Sequence, residues 1–473
     1  MLRIIPDKPE PKTSEVLRTK GESSCAPNFH LAGNKLYFIS LGCPRNRVDT
    51  EVMLGILLKA GYEVSPELPD ADYVIINTCG FLEASRQESL DTIGEALDTR
   101  KDNAKVIVTG CMVQTHSKDI QDVHPEVDFL LGSGDVEGIL KAVEAPEKGS
   151  QITTARSYLE AGEVPRQLST PKHYAYLKIA EGCRKRCAYC IIPDIKGPLK
   201  SKSIERVVKE FRVLRESGVK EIILIAQDLG DWGKDLGHRK VDGLILLLKE
   251  LLKEPGDFWL RLLYLYPDEI NDELIQLMKS DKRICRYLDM PIQHVNNDIL
   301  KSMRRTTSKE DIIRTITTLR REIPDVVIRT SLIVGYPGET KEQFEELVQF
   351  LQSHPLDNVG IFAFSPEAGS HAATLPGQLD EAVKGKRQRH LAKVQLKVVE
   401  KINAKMVGKV VRVIVEGYHP ESRLLMRGRY QGQCADIDGE VIINDARAVK
   451  AFGEWHDVEI TDVAGYDLVG KAL

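Results

Sequence analysis

The sequence lacks several features that would place it in a common class of protein. It contains no apolar run of transmembrane length, and its N-terminal stretch has no signal-peptide core. Its formal net charge is −4, so the protein as a whole has no excess of positive charge that would bind nucleic acid. We therefore expect a cytoplasmic protein, a monomer, with no membrane partner.

A fourth ligand is missing from the densest group of cysteines. The segment EGCRKRCAYC (181–190) holds Cys183, Cys187 and Cys190, and no further Cys or His follows at zinc spacing. A zinc knuckle is the competing interpretation. Three thiolates on a four-iron cluster would instead leave one iron without a protein ligand. An open metal position is typical of catalytic sites.

A second set of cysteines is spread widely along the chain. Cys43, Cys79 and Cys111 each end a short, apolar, β-rich run. Helical patterns follow these runs, so we predict a parallel sheet whose strands bring their C-terminal ends to one edge. Small buried cysteines could end one such strand by chance. Three in the same position favour a metal or cluster site.

The remaining cysteines receive a simpler interpretation. A reducing compartment disfavours disulfides among the nine cysteines of the chain. Cys25, Cys285 and Cys434 have no partners at ligand spacing, so we interpret them as core or surface residues.

The length of 473 residues suits about three domains. Six strand-like runs separated by helical patterns predict a partial (β/α)6, TIM-like barrel, with its chemistry at the C-terminal strand ends. Capping boxes are predicted at Thr307 with Glu310 and at Thr340 with Gln343. Short strands without helical patterns then predict a small antiparallel β-barrel. The predicted segments are a flexible extension (1–33), an α/β cluster domain (34–145), a linker (146–168), the barrel core (169–400) and the terminal barrel (401–473).

This organisation resembles the radical S-adenosylmethionine methylthiotransferase family over about residues 34 to 473. The resemblance rests on the C-x3-C-x2-C spacing, on the three upstream cysteines and on the terminal barrel, which that family calls TRAM. Further motifs resemble the protein-directed branch of the family. They are SLGCPRNRVDTE (40–51), EGCRKRCAYCIIP (181–193), YLYP (264–267), DMPIQH (289–294), KSMRR (301–305) and RTSLIVGYPGET (329–340).

The resemblance implies two 4Fe-4S clusters, one on each cysteine triplet, and S-adenosylmethionine as radical source and methyl donor. A 5′-deoxyadenosyl radical would remove hydrogen from the β-carbon of an aspartate, and sulfur and methyl would be inserted there. The implied substrate is the decoding-site protein of the small ribosomal subunit, free or on the ribosome. An electron donor is the other expected partner. No general acid or base is assigned, because an unactivated C–H bond requires cofactor chemistry.

Five residues are candidates for contacts with S-adenosylmethionine, and each has a structural alternative. Tyr189 is either an adenine contact or a packing aromatic, and Gly335 either admits the adenosine or makes a turn. Gln227, Gln293 and Arg329 either bind the cofactor or hydrogen-bond within the barrel.

The chain also departs from the family. The segment IAQDLGD (225–231) stands where a plain Gly-Gly-Glu is expected. Arg184 and Lys185 replace frequent asparagines in the radical motif, and we interpret them as covering the solvent side of the loop.

Two alternatives to a protein substrate remain open. One is a transfer-RNA adenosine methylthiotransferase, and the other is a non-catalytic iron–sulfur or RNA-binding protein. Residues 401–473 hold 10 basic and 11 acidic residues, a net charge of −1. An RNA-binding barrel would be expected to present a basic face, so this balance favours a basic protein as the partner.

Overall fold

The computed structural model describes residues 2–3, 34–153, 158–160 and 164–473. The chain divides into two compact units, 1–158 with 162–169 and 159–161 with 170–473. Most of the predicted extension, residues 4–33, lies outside the described residues. Within the described part, no helix has the length and apolar character needed to cross a membrane.

Strands and helices alternate through the first unit. Its elements are β1 (Leu2–Arg3), β2 (Lys35–Ser40), α1 (Pro44–Lys59), β3 (Glu63–Val64), β4 (Tyr73–Thr78), α2 (Glu83–Thr99), β5 (Lys105–Gly110), α3 (Cys111–Val123), β6 (Phe129–Gly132), α4 (Ile139–Glu144) and β7 (Gly149–Gln151).

These strands form one sheet in the order β1-β2-β4-β5-β6-β7, with β3 beside β2. All pairs are parallel except β1 with β2. The central strands are buried on both faces, as expected for a sheet covered by helices, and they carry a core of Val, Ile and Leu side chains. The predicted parallel sheet is therefore confirmed.

The segment predicted as an irregular linker has more structure than expected. Its start forms β7, which pairs with β6. Its end is held to α1 by Glu51, a fully buried carboxylate that accepts hydrogen bonds from Arg166 (Nη2 to Oε2, 2.7 Å) and from the backbone of Ser169 (2.8 Å). Sequence patterns did not indicate this anchoring, because the partners of Glu51 lie more than a hundred positions away.

The second unit begins with a βα series. Its elements are β8 (Tyr174–Lys178), β9 (Ala180–Glu181), α5 (Ile192–Lys196), β10 (Lys200–Ser201), α6 (Ile204–Glu216), β11 (Glu221–Ile225), α7 (Asp242–Leu251), β12 (Trp259–Leu262), α8 (Asp272–Ser280), β13 (Ile284–Asp289), α9 (Asn297–Ser302), α10 (Lys309–Glu322), β14 (Val327–Val334), α11 (Lys341–Ser353), β15 (Asn358–Ala363) and α12 (Glu381–Asn403).

Six of these strands form a parallel sheet in the order β15-β14-β13-β12-β11-β8, which confirms the predicted partial barrel. The predicted capping box at Thr340 with Gln343 is present at the start of α11. The one predicted at Thr307 is wrong by one residue. Ser308 caps α10 instead, and Asp311 returns the hydrogen bond to its backbone.

The chain ends in a closed barrel in the order β16-β17-β18-β20-β19. Its strands are β16 (Val410–His419), β17 (Ser422–Tyr430), β18 (Val441–Asp445), β19 (Glu454–Ala464) and β20 (Asp467–Ala472). The predicted small barrel is confirmed, but β18 pairs with β20 in parallel, so it is not wholly antiparallel.

Buried charges join this barrel to the N-terminal ends of the core strands. Glu221, the first residue of β11, accepts hydrogen bonds from Arg261 of β12 (Nε to Oε1, 2.6 Å) and from Arg429 of β17 (Nη2 to Oε2, 2.7 Å). Arg429 also donates to Glu416 of β16 (2.7 Å), which pairs with His173 just before β8 (3.0 Å). Because all are largely buried, losing one charge would leave its partners uncompensated.

Aromatic residues complete the same contact. Tyr174 donates its hydroxyl proton to Asp436 (3.0 Å), and Tyr287 donates to Asp438 (2.7 Å). Trp259 meets Trp455 edge to face, with ring centroids 4.4 Å apart. The terminal barrel therefore closes the end of the core opposite to the C-terminal strand ends.

A pH-dependent stability is expected from this contact. Burial alone would raise the pKa of Glu416, but Arg429 and His173 lower it to about 2. Since the folded-state pKa lies below the ordinary value, the carboxylate stabilises the fold above about pH 4.5, and this contribution is lost as the pH falls toward 2. We expect Glu416→Gln to lower the free energy of unfolding at pH 7 by about 2–3 kcal/mol in urea titrations.

The difference between Glu416→Gln and the wild type should shrink progressively below about pH 4.5. Glu454→Gln is the matched control, because it removes a carboxylate from an exposed ion pair with Lys220 between the same two parts and should change stability by less than about 0.5 kcal/mol. A difference that is equally large at pH 7 and in acid would contradict the assignment.

Candidate metal centres

The three cysteines of the first unit stand at one edge of its sheet. Cys43 is the N-cap of α1, Cys79 directly follows β4, and Cys111 is the first residue of α3. The strands that precede them are neighbours in parallel register, with Ser40 opposite Asn77 and Thr78 opposite Gly110. The predicted convergence of these residues is thus a property of the sheet.

Close packing sets the local arrangement of this triplet. Gly42 has φ +86°, and a Cβ atom there would lie 2.9 Å from Cβ of Cys79. Asn46 donates its side-chain amide to the carbonyls of Leu41 (2.8 Å) and Thr78 (3.1 Å). Its Oδ1 lies 4.0 Å from Sγ of Cys111. Asn46 therefore links the loops that carry all three cysteines.

The environment of these thiols suits the binding of a metal cation. Burial raises the pKa of Cys79, and the neighbouring Cys43 raises it further. Without a cation the triplet therefore disfavours thiolates at Cys79, whereas a bound metal would favour them. Cys43 and Cys111 lie at helix N-termini, where free backbone N–H groups stabilise negative charge.

The second triplet lies in the loop after β8, at the C-terminal end of the core strands. Cys183 donates its backbone N–H to Gly197 (3.2 Å), and Cys190 donates to the carbonyl of Cys187 (3.1 Å). Between them Ala188 donates to Met303 (3.0 Å). Burial, Asp228 and Cys187 raise the pKa of the Cys183 thiol to about 11. The loop is thus fixed by backbone contacts, and Sγ of Cys190 accepts a further hydrogen bond from the backbone N–H of Ile192 (3.4 Å).

Both cysteine triplets are more open than a single-ion site. Tetrahedral zinc would hold its sulfur ligands about 3.8 Å from one another. Among the described residues, only Asp228, Asp231 and Glu269 form a set of three ligands whose atoms lie within 4.8 Å of one another. The wider cysteine sets suit a multi-iron cluster better than one ion.

The acidic set of Asp228, Asp231 and Glu269 lies beside the radical motif, and two lysines form ion pairs with it. Nζ of Lys185 lies 3.0 Å from Glu269, 3.4 Å from Asp228 and 3.9 Å from Asp231. Lys234 pairs with Asp231 and Glu269 as well. Burial would lower the pKa of Lys185, but the three carboxylates raise it above its ordinary value.

The interpretation of Lys185 as a solvent-side residue is therefore wrong, whereas Arg184 is exposed as expected. Lys185 was misread because its partners come from loops after two other strands. The acidic residues of IAQDLGD supplied one signal that could have found it, since buried acids require a cation.

Two of the predicted cofactor residues lie beside the radical motif. Gln227 directly follows β11, and its buried Oε1 has no hydrogen-bond partner. Tyr189 packs against a cluster that includes Ala188, Met303 and Tyr336. An orphaned acceptor at the C-terminal strand ends fits a ligand that carries N–H donors.

The other three predicted residues have partners within the protein. Gln293 has φ +70° and exchanges backbone hydrogen bonds with β14. Arg329 binds Asp289 (2.8 Å) and Asp438 of the terminal barrel (3.5 Å). Gly335 has φ +73°, donates to Glu339, and a Cβ atom there would lie 2.5 Å from Cγ of Lys384.

Sequence reasoning assigned no role to two residues that contact the radical motif. Tyr266, from YLYP, places its hydroxyl 3.2 Å from Sγ of Cys187. Arg305, from KSMRR, is buried, with its Cζ 3.8 Å from the centroid of the Tyr266 ring. Both lie within motifs that carried the resemblance, so the motifs were a signal, although their spacing did not place them beside Cys187.

Comparison with protein families places three matches along the chain. Residues 35–132 match "Uncharacterized protein family UPF0004", residues 177–351 match the Radical SAM superfamily, and residues 407–473 match the TRAM domain. Together with the parallel core and its three-cysteine loop, these matches define a radical S-adenosylmethionine enzyme, which uses an iron–sulfur cluster and S-adenosylmethionine.

Curated relatives define the family more narrowly. The chain is 67% identical over 475 residues to "Ribosomal protein uS12 methylthiotransferase RimO" of Protochlamydia amoebophila, with all of both chains covered. A protein of the same name from Chlamydia caviae is 56% identical, and the match covers 93% of this chain and 95% of the relative. One from Bdellovibrio bacteriovorus is 44% identical, and the match covers 93% of this chain and 97% of the relative. The chain belongs to the RimO family of methylthiotransferases.

Solved structures agree on the fold. A cobalamin-bound radical S-adenosylmethionine methyltransferase, TsrM, from Kitasatospora setae superimposes with a TM-score of 0.53. The match covers 72% of this chain and 77% of the other at 15% identity. A second structure of TsrM, with tryptophan and a cofactor analogue, gives a TM-score of 0.52. At this identity the likeness concerns the fold alone.

Removing the partly buried Lys185 cation of the radical loop should destabilise the protein. Lys185→Met leaves three carboxylates facing only Lys234, so we expect a loss of about 3–5 kcal/mol in the free energy of unfolding of the metal-free protein. Arg184→Met is the control, because its neighbouring side chain is exposed and should change stability by less than about 0.5 kcal/mol. Equal effects of both substitutions on urea unfolding would refute the pairing of Lys185 with the three carboxylates.

Proposed function

We propose that this enzyme inserts a methylthio group at the β-carbon of an aspartate in uS12, the decoding-site protein of the small ribosomal subunit. The observation that carries the proposal is the 67% identity, over the whole of both chains, to a protein named as a uS12 methylthiotransferase. The two separate cysteine triplets support it, because sulfur insertion requires a sulfur source in addition to a radical source.

Cys183, Cys187 and Cys190 would hold one 4Fe-4S cluster, and Cys43, Cys79 and Cys111 would hold the other. When bound, the first would supply the electron that cleaves S-adenosylmethionine, and the second would supply sulfur at its open iron. The wide, partly exposed thiol sets and the helix N-termini at Cys43 and Cys111 fit these groups.

The protein's own residues would bind and orient the cofactor. Oε1 of Gln227 is a buried acceptor without a partner at the C-terminal strand ends, so we assign it to the amino group of S-adenosylmethionine. Tyr189 offers an aromatic face in the loop that carries the cysteines. Gln293 remains a candidate through its strained backbone beside β14. The contacts of Arg329 and Gly335 favour their structural alternatives.

The terminal barrel supports a protein substrate more than RNA. Its 10 basic and 11 acidic residues provide no net positive charge to neutralise phosphates. A basic ribosomal protein, free or on the ribosome, would meet a near-neutral surface without repulsion. The enzyme would also need an external electron donor.

The substrate can be assigned by mass spectrometry. Anaerobically reconstituted enzyme, S-adenosylmethionine and a reductant should convert uS12 to a form whose mass reflects replacement of one hydrogen by a methylthio group, with fragments locating it on one aspartate. A Cys187→Ala variant is the control and should leave uS12 unmodified. Modification of transfer-RNA adenosine with uS12 unchanged would overturn the proposal in favour of the RNA-directed reaction.

The iron content tests the two-cluster assignment independently of the substrate. We expect about eight iron and eight sulfide per chain in the wild type. Gly42→Ala should reduce both to about four, because its Cβ would displace Cys79. Gly61→Ala imposes the same left-handed backbone strain of about 1–2 kcal/mol, with no atom within 4 Å of the new Cβ, and should keep about eight. Equal iron in all three proteins would contradict the site on Cys79.

A further inference from the structure

Tyr266 lies where two cations and a cysteine meet. It precedes the single turn Pro267–Glu269 at the C-terminal end of β12, and its hydroxyl is 3.2 Å from Sγ of Cys187. Cζ of Arg305 lies 3.8 Å from the centroid of its ring, and Nζ of Lys185 lies 4.3 Å from it. Cations so close to an aromatic ring are attracted by its π-electrons. Its hydroxyl is therefore held beside one ligand sulfur of the radical motif.

Arg305 brings unused hydrogen-bond donors to the same place. Its Nη2 donates to the carbonyl of Pro291 (2.6 Å), which anchors the guanidinium. Its Nε and Nη1 are buried and have no oxygen or nitrogen acceptor. The guanidinium is in hydrogen-bonding contact with Cys187, and Tyr189 and Tyr266 also interact with its charge. Because a buried guanidinium with unmet N–H groups is costly, the site indicates an acceptor that belongs next to Cys187.

We infer that Tyr266 and Arg305 form a donor pair that hydrogen-bonds to the Cys187 sulfur and to an adjacent sulfide of the radical cluster, and so raises the reduction potential of that cluster. This inference rests on the proposed cluster at Cys183, Cys187 and Cys190. Reduction adds one electron, and therefore one negative charge, to the cluster. O–H and N–H donors and a fixed positive charge stabilise the reduced state more than the oxidised state.

The fixed geometry explains why these two residues suit the task. Arg305 packs on the Tyr266 ring and also contacts Cys187, so its charge lies beside both the hydroxyl and the sulfur in a largely buried place. Arg305 remains charged at every working pH. The pair would therefore act continuously rather than as a switch.

An anaerobic redox titration of the full-length holoenzyme, followed by EPR and visible absorption, tests the inference. The two clusters should give separate reduction waves. A triple variant, Cys43→Ala with Cys79→Ala and Cys111→Ala, should lose one wave, and the wave that remains belongs to the radical cluster. Tyr266→Phe should lower the equilibrium constant for reduction of that cluster about tenfold, which equals about 59 mV for one electron. Arg305→Met should shift the same wave in the same direction, and Arg305→Lys should restore part of the shift.

Two internal references make the result specific. The wave of the cluster on Cys43, Cys79 and Cys111 should stay in place in every variant of Tyr266 and Arg305. Tyr287→Phe removes another buried hydroxyl from the same unit, one that donates to Asp438, and should move neither wave. Tyr266→Phe keeps the shape of the side chain, so it remains informative if Arg305→Met loses iron.

The possible failures are distinguishable. A radical-cluster wave at the wild-type potential in Tyr266→Phe, with iron content intact, would overturn the inference and leave the proposed function standing. A wild-type protein that binds no iron on Cys183, Cys187 and Cys190 would overturn the proposed function, and this inference with it.

Discussion

Parallel pairing of neighbouring strands is the constraint on which this structure depends. It carries the ends of β2, β4 and β5 to one edge, so Cys43, Cys79 and Cys111 meet although more than thirty residues separate each from the next. Hydrogen bonds along the sheet set the positions of the strand ends, and the packing of Gly42 and Asn46 then sets the loops. A site of this kind needs no local motif.

The same rule organises the second unit, where six parallel strands have two different ends. One end carries the cysteine loop, the acidic set and Gln227, and the other is closed by the terminal barrel. Both ends bury charge, but for different purposes. Glu221 and Arg429 satisfy each other and hold two parts together. Arg305 instead has N–H groups, and Gln227 a carbonyl oxygen, that bond to no oxygen or nitrogen of the protein. Buried polar groups of this kind are expected where a ligand binds.

Sequence reasoning predicted the fold correctly, and it grouped six cysteines into two triplets, because the signals for both are periodic or local. Strand–helix alternation predicts a parallel sheet, and the C-x3-C-x2-C spacing stands within one loop. It could not reach contacts made by residues distant in sequence. The partner of Arg329 in the terminal barrel, Asp438, lies more than a hundred positions away, so its strand position alone suggested a cofactor contact.

Two other predictions were wrong because the local sequence fits two alternative structures. Thr307 and Ser308 both fit a helix start, and only the packing of the chain selected Ser308. The parallel pair β18–β20 follows from closing a five-stranded barrel, because an odd number of strands cannot alternate in direction all the way round. Neither choice is written in a short window of sequence.

Because buried charges attach the terminal barrel to the core, the two parts cannot evolve independently. Glu221 and Arg261 lie in the core, yet their hydrogen bonding is completed by Arg429 and by the carbonyl of Gln431 in the barrel. A chain cut after α12 would leave this buried charge open to water, together with the aromatic face around Trp259. The barrel is thus not an appendage that can be exchanged freely. Core and barrel must change together, and any transplanted barrel would have to bring a guanidinium to the same carboxylate.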